Sequence, residues 1–325
     1  MKTALKVLLG LVLLVAAFAL YIQLNWHVNL NEEYPITEVL ITPDSAMLAH
    51  GKYLAEGPAH CTHCHLSMDQ LETAESGNVI MKGGFEFGLP IGKWRSPNIT
   101  PDLETGIGRY TDGELYRMMR HNILPSGRAT IDLMPFTTMS EYDVKSIIAY
   151  LRTVTPVKNE VPTTEPNLLG KALLRFVIRP VTPDEAIAEK VEKDSSIVYG
   201  KYLAESVANC RGCHTKRDLK TGAYIGPFYA GGLTFEPAIE TGMWTFNTPN
   251  LTSDPTTGIM ADWTEATFIS RFKETGRLHK TSPMPWGAFK QMDDMDLKAI
   301  YRFLKSLPPV ENKIEPIAIA PATTE

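Results

Sequence analysis

Between Lys6 and Glu32 the chain has no Asp, Glu, Lys or Arg, and outside two pentapeptides it has no cysteine. Each absence excludes something. An uncharged apolar run of this length is no ordinary solvated surface element. As a helix from about Leu5 to Leu24 it spans roughly 30 Å, one hydrocarbon core. Four cysteines confined to two motifs leave none for a disulfide framework. Positive charge is also in short supply: 32 Lys and Arg stand against 37 Asp and Glu, a net charge of −5. A nucleic-acid binder would need a basic face, so that class is set aside. What remains is globular in composition, with 44% hydrophobic and 21% charged residues in 325 positions, enough for two or three domains.

Lys2 and Lys6 precede the apolar run, which places the N-terminus in the cytoplasm and the rest on the outer, periplasmic side. Tyr21 and Trp26 fall where an interfacial aromatic belt belongs. A cleaved secretory signal is the competing reading, with Ala17-Phe18-Ala19 as its cleavage triplet. The apolar run continues past that triplet, which favours a retained single-pass anchor over residues 1–30.

Beyond the anchor the chain repeats itself. Gly51-Lys-Tyr-Leu-Ala-Glu56 returns as Gly200-Lys-Tyr-Leu-Ala-Glu205, and Cys61-Thr-His-Cys64-His65 as Cys210-Arg-Gly-Cys213-His214, both shifted by 149. Pro97-Asn-Ile-Thr100 returns as Pro249-Asn-Leu-Thr252, Thr105-Gly-Ile107 as Thr257-Gly-Ile259, and Met134-Pro135 as Met284-Pro285. Matched blocks in one order, 149 to 152 residues apart, indicate a duplicated domain rather than a short-period solenoid. The expected organisation is a first domain over 40–156, a linker over 157–194, a second domain over 195–312 and a tail over 313–325.

Each unit reads as mainly α. Asp44 or Ser45 caps a helix running to about Glu56. Thr111-Asp-Gly-Glu114 has the form of a capping box opening a helix with Leu115, Met118 and Met119 on one face. Ser140 caps a helix with Val144, Ile147, Ile148 and Leu151 at helical spacing, repeated by Leu297, Ile300 and Leu304. The linker is expected to hold one short helix, near Leu173 to Ile178, packed between the domains.

Cys-x-x-Cys-His is an attachment pattern for c-type haem. Two thiols two residues apart form thioethers to the porphyrin vinyl groups, and the adjacent His reaches the iron. Paired Cys-x-x-Cys motifs in zinc ribbons lie far closer in sequence, and a redox dithiol wants a βαβ context that neither site offers. Two covalently bound haem c groups are therefore expected, held by Cys61, Cys64 and His65, and by Cys210, Cys213 and His214. Thioether sulfur as the second axial ligand favours ferrous iron. Met134 and Met284 are the candidates, because each precedes Pro and an aromatic, Phe136 or Trp286, just before the last helix of its unit. Met118 and Met119 read as core or haem-wall residues, and Met81, Met139 and Met260 lack a repeat partner. His63 is expected to point away from the iron. His60, His121 and His279 read as ordinary surface residues.

With these residues placed, the chain resembles the class I cytochrome c domain twice over. More narrowly it resembles the haem subunits of membrane-bound alcohol, sugar-acid and aldehyde dehydrogenases. The resemblance rests on Pro97-Asn-Ile-Thr-Pro-Asp102, Thr105-Gly-Ile-Gly108, Tyr110-Thr-Asp112 and Met134-Pro135, and covers roughly residues 45–155 and 195–310. It implies that the Asn98 and Asn250 loops border the haem propionates, with Trp94 and Trp244 packed nearby. Those subunits usually carry three haems and a cleaved signal, whereas this chain has two motifs and an anchor-like segment. The implied function is one-electron transfer without substrate chemistry. Partners would be a dehydrogenase, a quinol-linked complex or a terminal oxidase. A dihaem peroxidase is the alternative, and it needs one iron with an open distal side; the matching Met-Pro loops argue against that asymmetry. A structural subunit whose haems only stabilise the fold is a second alternative.

Overall fold

A computed structural model describes residues 2–71, 79–183, 185–218 and 222–321. Positions 322–325 of the expected tail lie outside the described residues. The structure is mainly helical, with 39% of residues in helix.

Helix α1 (Lys2–Asn25) is long and apolar enough to cross a membrane, and its side chains are almost all exposed. It does not swing on a free leash. Leu30 N–H donates to Gly127 O at 2.8 Å, and the buried Arg117 guanidinium holds Asn31 Oδ1 at 2.8 Å and Tyr34 O at 3.0 Å. The segment following α1 is thereby fixed to the first half of the protein.

In that half, α2 (Ser45–Glu56) starts at Asp44, whose carboxylate accepts from Met47 N–H at 2.7 Å. The single turn α3 (Cys61–Cys64) follows, then α4 (Asp112–His121) behind the expected Thr111–Glu114 capping box, and α5 (Glu141–Leu151) capped by Ser140. Short strands β1 (Glu86–Leu89) and β2 (Gly92–Arg95) pair antiparallel, and β3 (Glu165–Pro166) adds to β2 from within the expected linker.

The second half runs in matching order. It comprises α7 (Ile197–Tyr202), which continues into a wider turn over Leu203–Val207, then α8 (Cys210–Cys213), α9 (Glu265–Ser270), α10 (Trp286–Phe289) and α11 (Asp294–Ser306). Strands β4 (Thr234–Phe235) and β5 (Thr245–Asn247) pair antiparallel and receive β6 (Ala318–Ile319). Residues 318–319 fall within the expected tail, so that part of it is a folded edge. The offset from β3 to β6 is 153, which extends the repeat beyond its sequence-visible blocks.

Helix pairs α2/α5 and α7/α11 cross closely because a glycine stands at each crossing. A Cβ on Gly51 would come within 1.9 Å of Ser146 O, and one on Gly200 within 1.9 Å of Ala299 O. This accounts for the glycine that opens both copies of the hexapeptide. Leu54, Val144, Ile147, Leu203, Leu297 and Ile300 from the two halves share one buried apolar cluster.

The halves also exchange polar contacts. Tyr202 donates to Asp143 and accepts from Ser140 N–H at 3.0 Å. Tyr53 donates to Asp296 and accepts from Asp293 N–H at 2.9 Å. Tyr53 and Tyr202 are repeat partners, as are Asp143 and Asp296, so each half completes the start of the other's last helix. His50 adds a 2.6 Å contact to Asp143, while Tyr199 at 3.1 Å and Lys193 at 3.0 Å engage Asp296.

The linker helix α6 (Leu168–Phe176) differs from expectation. It packs against α1 and buries Leu174 beside Ile91 and Trp94, and so lies on the first half and α1 rather than between the halves. An amphipathic helix goes where its apolar face finds cover, and Ile91 and Trp94 of the first half supply it.

Candidate haem sites

Both Cys-x-x-Cys segments form one helical turn entered through a left-handed residue, His60 at φ 44° and Asn209 at φ 55°. Such backbone is disfavoured for residues with a Cβ, and here it recurs at equivalent positions, where it turns the chain into each motif. Asn209 also explains the small residue inside the second motif, because a Cβ on Gly212 would come within 1.9 Å of Asn209 Oδ1.

Each motif histidine then makes the same bond. His65 Nδ1 lies 2.9 Å from Pro97 O, and His214 Nδ1 lies 3.1 Å from Pro249 O. A carbonyl there fixes the proton on Nδ1 and leaves the Nε2 lone pair for a metal, the arrangement typical of ligating histidines. Both rings are buried, and burial lowers their pKa values, that of His214 to about 4. Burial therefore favours the neutral imidazole at both positions.

The cysteines fit a covalent macrocycle better than a thiolate site. Burial pushes Cys61, Cys64 and Cys210 up to about 12, and raises Cys213 as well. Nucleophilic dithiols and zinc thiolates need the opposite shift. Among the described residues no group of three His, Cys, Asp or Glu side chains could hold a metal ion. A buried Cys61 and half-buried Cys64, Cys210 and Cys213 suit thioether attachment.

The repeated Pro-Asn-x-Thr loops hold the carbonyl that orients each histidine. Asn98 Oδ1 accepts from Thr100 N at 3.0 Å and Thr100 Oγ1 at 2.8 Å, while Nδ2 donates to Val157 O at 2.7 Å and Thr105 Oγ1 at 3.2 Å. Asn250 makes the same four bonds, to Thr252, Val310 and Thr257, between 2.8 and 3.1 Å. Both ends of each amide are engaged inside the protein, beneath the Pro97 or Pro249 carbonyl.

Gly83 and Gly231, not singled out from the sequence, complete this cradle. At φ 73° and 75° they bring their N–H groups to His65 O and His214 O, and a Cβ on either would strike Pro97 or Pro249. A Gly-Gly dipeptide recurring at a shift of 148 was the available signal.

Met134 and Met284 sit on matching loops, each followed by a proline that opens a short helical turn, Phe136–Thr138 or α10. Both are half-buried against the same apolar cluster that Cys61 and Cys210 join. Arg120 pins the first loop with bonds to the carbonyls of Phe136 and Thr137 at 3.2 Å and of Met139. In the second loop Arg277 reaches Ser282 O and, at 3.5 Å, Met284 O. Met119, Met81, Met139 and Met260 are buried in the core.

The two sites face each other. His63 Nε2 lies 3.1 Å from Pro283 O on the second methionine loop, and Asp132 near the first loop feels Arg217 and Arg211 beside the second motif. Cys64 and Cys213 are near enough to interact electrostatically. His60 rests edge-on against Phe289 at 5.5 Å, His279 lies 4.3 Å from the Trp244 ring, and His121 bonds Val181 O at 2.9 Å. None of the three is the plain surface residue expected. Trp94 is buried against Ile91 and Leu174, with its indole N–H unpartnered.

No protein-family model matches the chain. Among curated proteins it is 31% identical over 300 residues to the cytochrome c subunit of the quinone-dependent alcohol dehydrogenase of Gluconacetobacter polyoxogenes, covering 84% of this chain and 59% of that protein. It is 28% identical over 288 residues to the fructose dehydrogenase cytochrome subunit of Gluconobacter japonicus, covering 82% and 54%. A dihaem cytochrome c-type protein of Cereibacter sphaeroides is 25% identical over 269 residues, covering 77% and 83%. The chain thus spans a little over half the length of the first two. It is a homologue of cytochromes c, electron-transfer proteins with covalently bound haem. Within that class its relatives at 28–31% identity over most of the chain are the cytochrome subunits of dehydrogenase complexes, not their catalytic subunits.

Proposed function

We propose that the chain is a membrane-anchored dihaem cytochrome c built from two tandem cytochrome c-like domains. In this reading it carries single electrons between redox partners, such as a dehydrogenase, a quinol-linked complex or a terminal oxidase. Cys61 and Cys64 hold the first haem, with His65 and Met134 as axial ligands. Cys210 and Cys213 hold the second, with His214 and Met284. Helix α1 anchors the protein, and both domains stand on the periplasmic side.

A bound haem c supplies a one-electron ferric/ferrous couple. The chain's own residues set its terms. The Pro97 and Pro249 carbonyls hold the imidazoles in the ligating tautomer, and the Asn98 and Asn250 networks keep those carbonyls still. Arg120 and Arg277 fix the loops that present the methionines, and burial keeps water from Cys61 and the two histidines. No group in this set is placed to activate a substrate.

The observation that carries the reading is duplication of detail: left-handed entry residue, one-turn Cys-x-x-Cys helix, His-to-Pro carbonyl bond and Met-Pro loop recur in both halves. The test is spectroscopic. The oxidised, detergent-solubilised protein should show a Met-to-iron charge-transfer band in the near infrared, and Met134→Ala and Met284→Ala should each remove about half of it. A band unchanged by Met134→Ala rejects the first axial assignment. A protein whose mass equals its polypeptide rejects haem attachment.

A further inference from the structure

We propose that a cleft where α1 emerges binds the headgroup phosphate of an anionic phospholipid between Arg128, Arg175 and Arg179. The inference rests on the reading of α1 as a retained membrane anchor.

The cleft has a volume of about 620 Å³. Its cationic wall is formed by those three arginines and its apolar wall by Val28, Leu174 and Ile178. Arg128 is 92% buried, yet its guanidinium donates only to Ala129 O at 3.0 Å, and its Nε has no partner. The Trp26 ring lies 5.2 Å from it. Arg175 reaches Tyr21 Oη at 3.3 Å, and Arg179 reaches the carbonyls of Arg175, Phe176 and Ile178. Among the described residues none of the three forms an ion pair. The one carboxylate lining the cleft, Glu33, is exposed. A buried guanidinium with an unpartnered N–H, beside two more without counter-ions, is unsatisfied until an anion arrives.

The position of the cleft selects the source of that anion. Helix α6 runs antiparallel to α1: Lys171 bonds Gln23 at 2.9 Å, Arg175 meets Tyr21, and Phe176 stacks on Phe18 at 6.1 Å. The arginines therefore lie level with the outer end of the apolar helix. The α6 tip descends about 10 Å below that end, the depth of an interfacial apolar insertion. Phe176 and Val177 remain roughly half exposed there. An anion with apolar tails meets both walls at this depth, whereas a free anion would leave the apolar wall wet.

The test titrates phosphatidylglycerol and phosphatidylcholine separately into full-length, haem-loaded protein in detergent and counts bound lipid by native mass spectrometry. One phosphatidylglycerol should bind preferentially. Arg128→Gln, Arg175→Gln and Arg179→Gln should each weaken it about fivefold. An unchanged haem spectrum certifies the fold, and the exposed Arg179→Gln keeps the test decisive if Arg128→Gln does not fold. Equal binding of the two lipids, or no effect of the substitutions, overturns the proposal. Displacement by inorganic phosphate as readily as by lipid identifies a free-anion site and overturns it too. A mature chain that has lost residues 2–25 overturns both anchor and site; a chain that keeps them yet shows no preference overturns the site alone.

Discussion

Replacing Tyr202 by Phe removes one hydroxyl and two bonds across the internal interface: donation to the buried Asp143 carboxylate and acceptance from Ser140 N–H at 3.0 Å. A hydrogen bond to a charged group contributes about 1.5–3 kcal/mol and a neutral one about 0.5–1.5 kcal/mol, so Tyr202→Phe should cost roughly 2–4 kcal/mol. No packing is lost, because Phe keeps the ring. The substitution therefore isolates the polar exchange. The assay is denaturant unfolding of the haem-loaded, detergent-solubilised protein, followed by tryptophan fluorescence and by haem absorbance. Tyr53→Phe should cost a similar amount through Asp296 and Asp293. Tyr199 feels both Asp296 and Asp143, which places the two exchanges close together, so the double variant should depart from additivity. A Tyr202→Phe variant within about 0.5 kcal/mol of wild type would refute the assignment of interface stability to this exchange.

The same residues give a pH signature. Burial, with the neighbouring carboxylates next, raises the Tyr53, Tyr199 and Tyr202 phenols above 10.0, so their contribution is complete below pH 10 and falls as pH rises beyond it. Unfolding midpoints should drop on the alkaline side with a slope of about 1.4 kcal/mol per pH unit for each phenol, and Tyr202→Phe should flatten that slope by one phenol's share. Gly51→Ala and Gly200→Ala should each cost about 3 kcal/mol or more, since the new methyl meets a carbonyl at 1.9 Å, whereas Gly10→Ala, with nothing within 4 Å, should be neutral in the same melt. Asn98→Ala empties a buried four-bond network and should cost roughly 2–4 kcal/mol while shifting the potential of one haem in a redox titration; a normal melt with both potentials unmoved would dismiss the positioning role.

Features written in neighbouring residues were legible from the sequence. The caps at Asp44, Thr111 and Ser140 each depend on one side chain and a backbone N–H three residues on, and all three formed as expected. The repeated cysteine motifs were equally legible, because their spacing is local as well. The Tyr–Asp exchange was hidden: Tyr53 and Asp296 are 243 positions apart, and pairing them requires knowing how the halves dock. Arg117 and Arg120 on α4 carry no local signal of burial, yet they are buried, since carbonyls from distant loops satisfy their guanidiniums. Strands β3 and β6 escaped notice because two residues carry no periodicity. The placement of α6 was hidden for a similar reason, since nothing in its composition says which apolar surface will receive it.

The crossed tyrosines have a consequence for any attempt to halve the molecule. A fragment ending before the second hexapeptide holds Tyr53 and Asp143 together, donor and acceptor of a self-complementary patch, with no second half to engage either. Two such fragments could satisfy each other about a two-fold axis, the isologous geometry that homodimers use. Severed halves are thus poised to pair with copies of themselves, and the covalent join makes intramolecular what would otherwise depend on concentration.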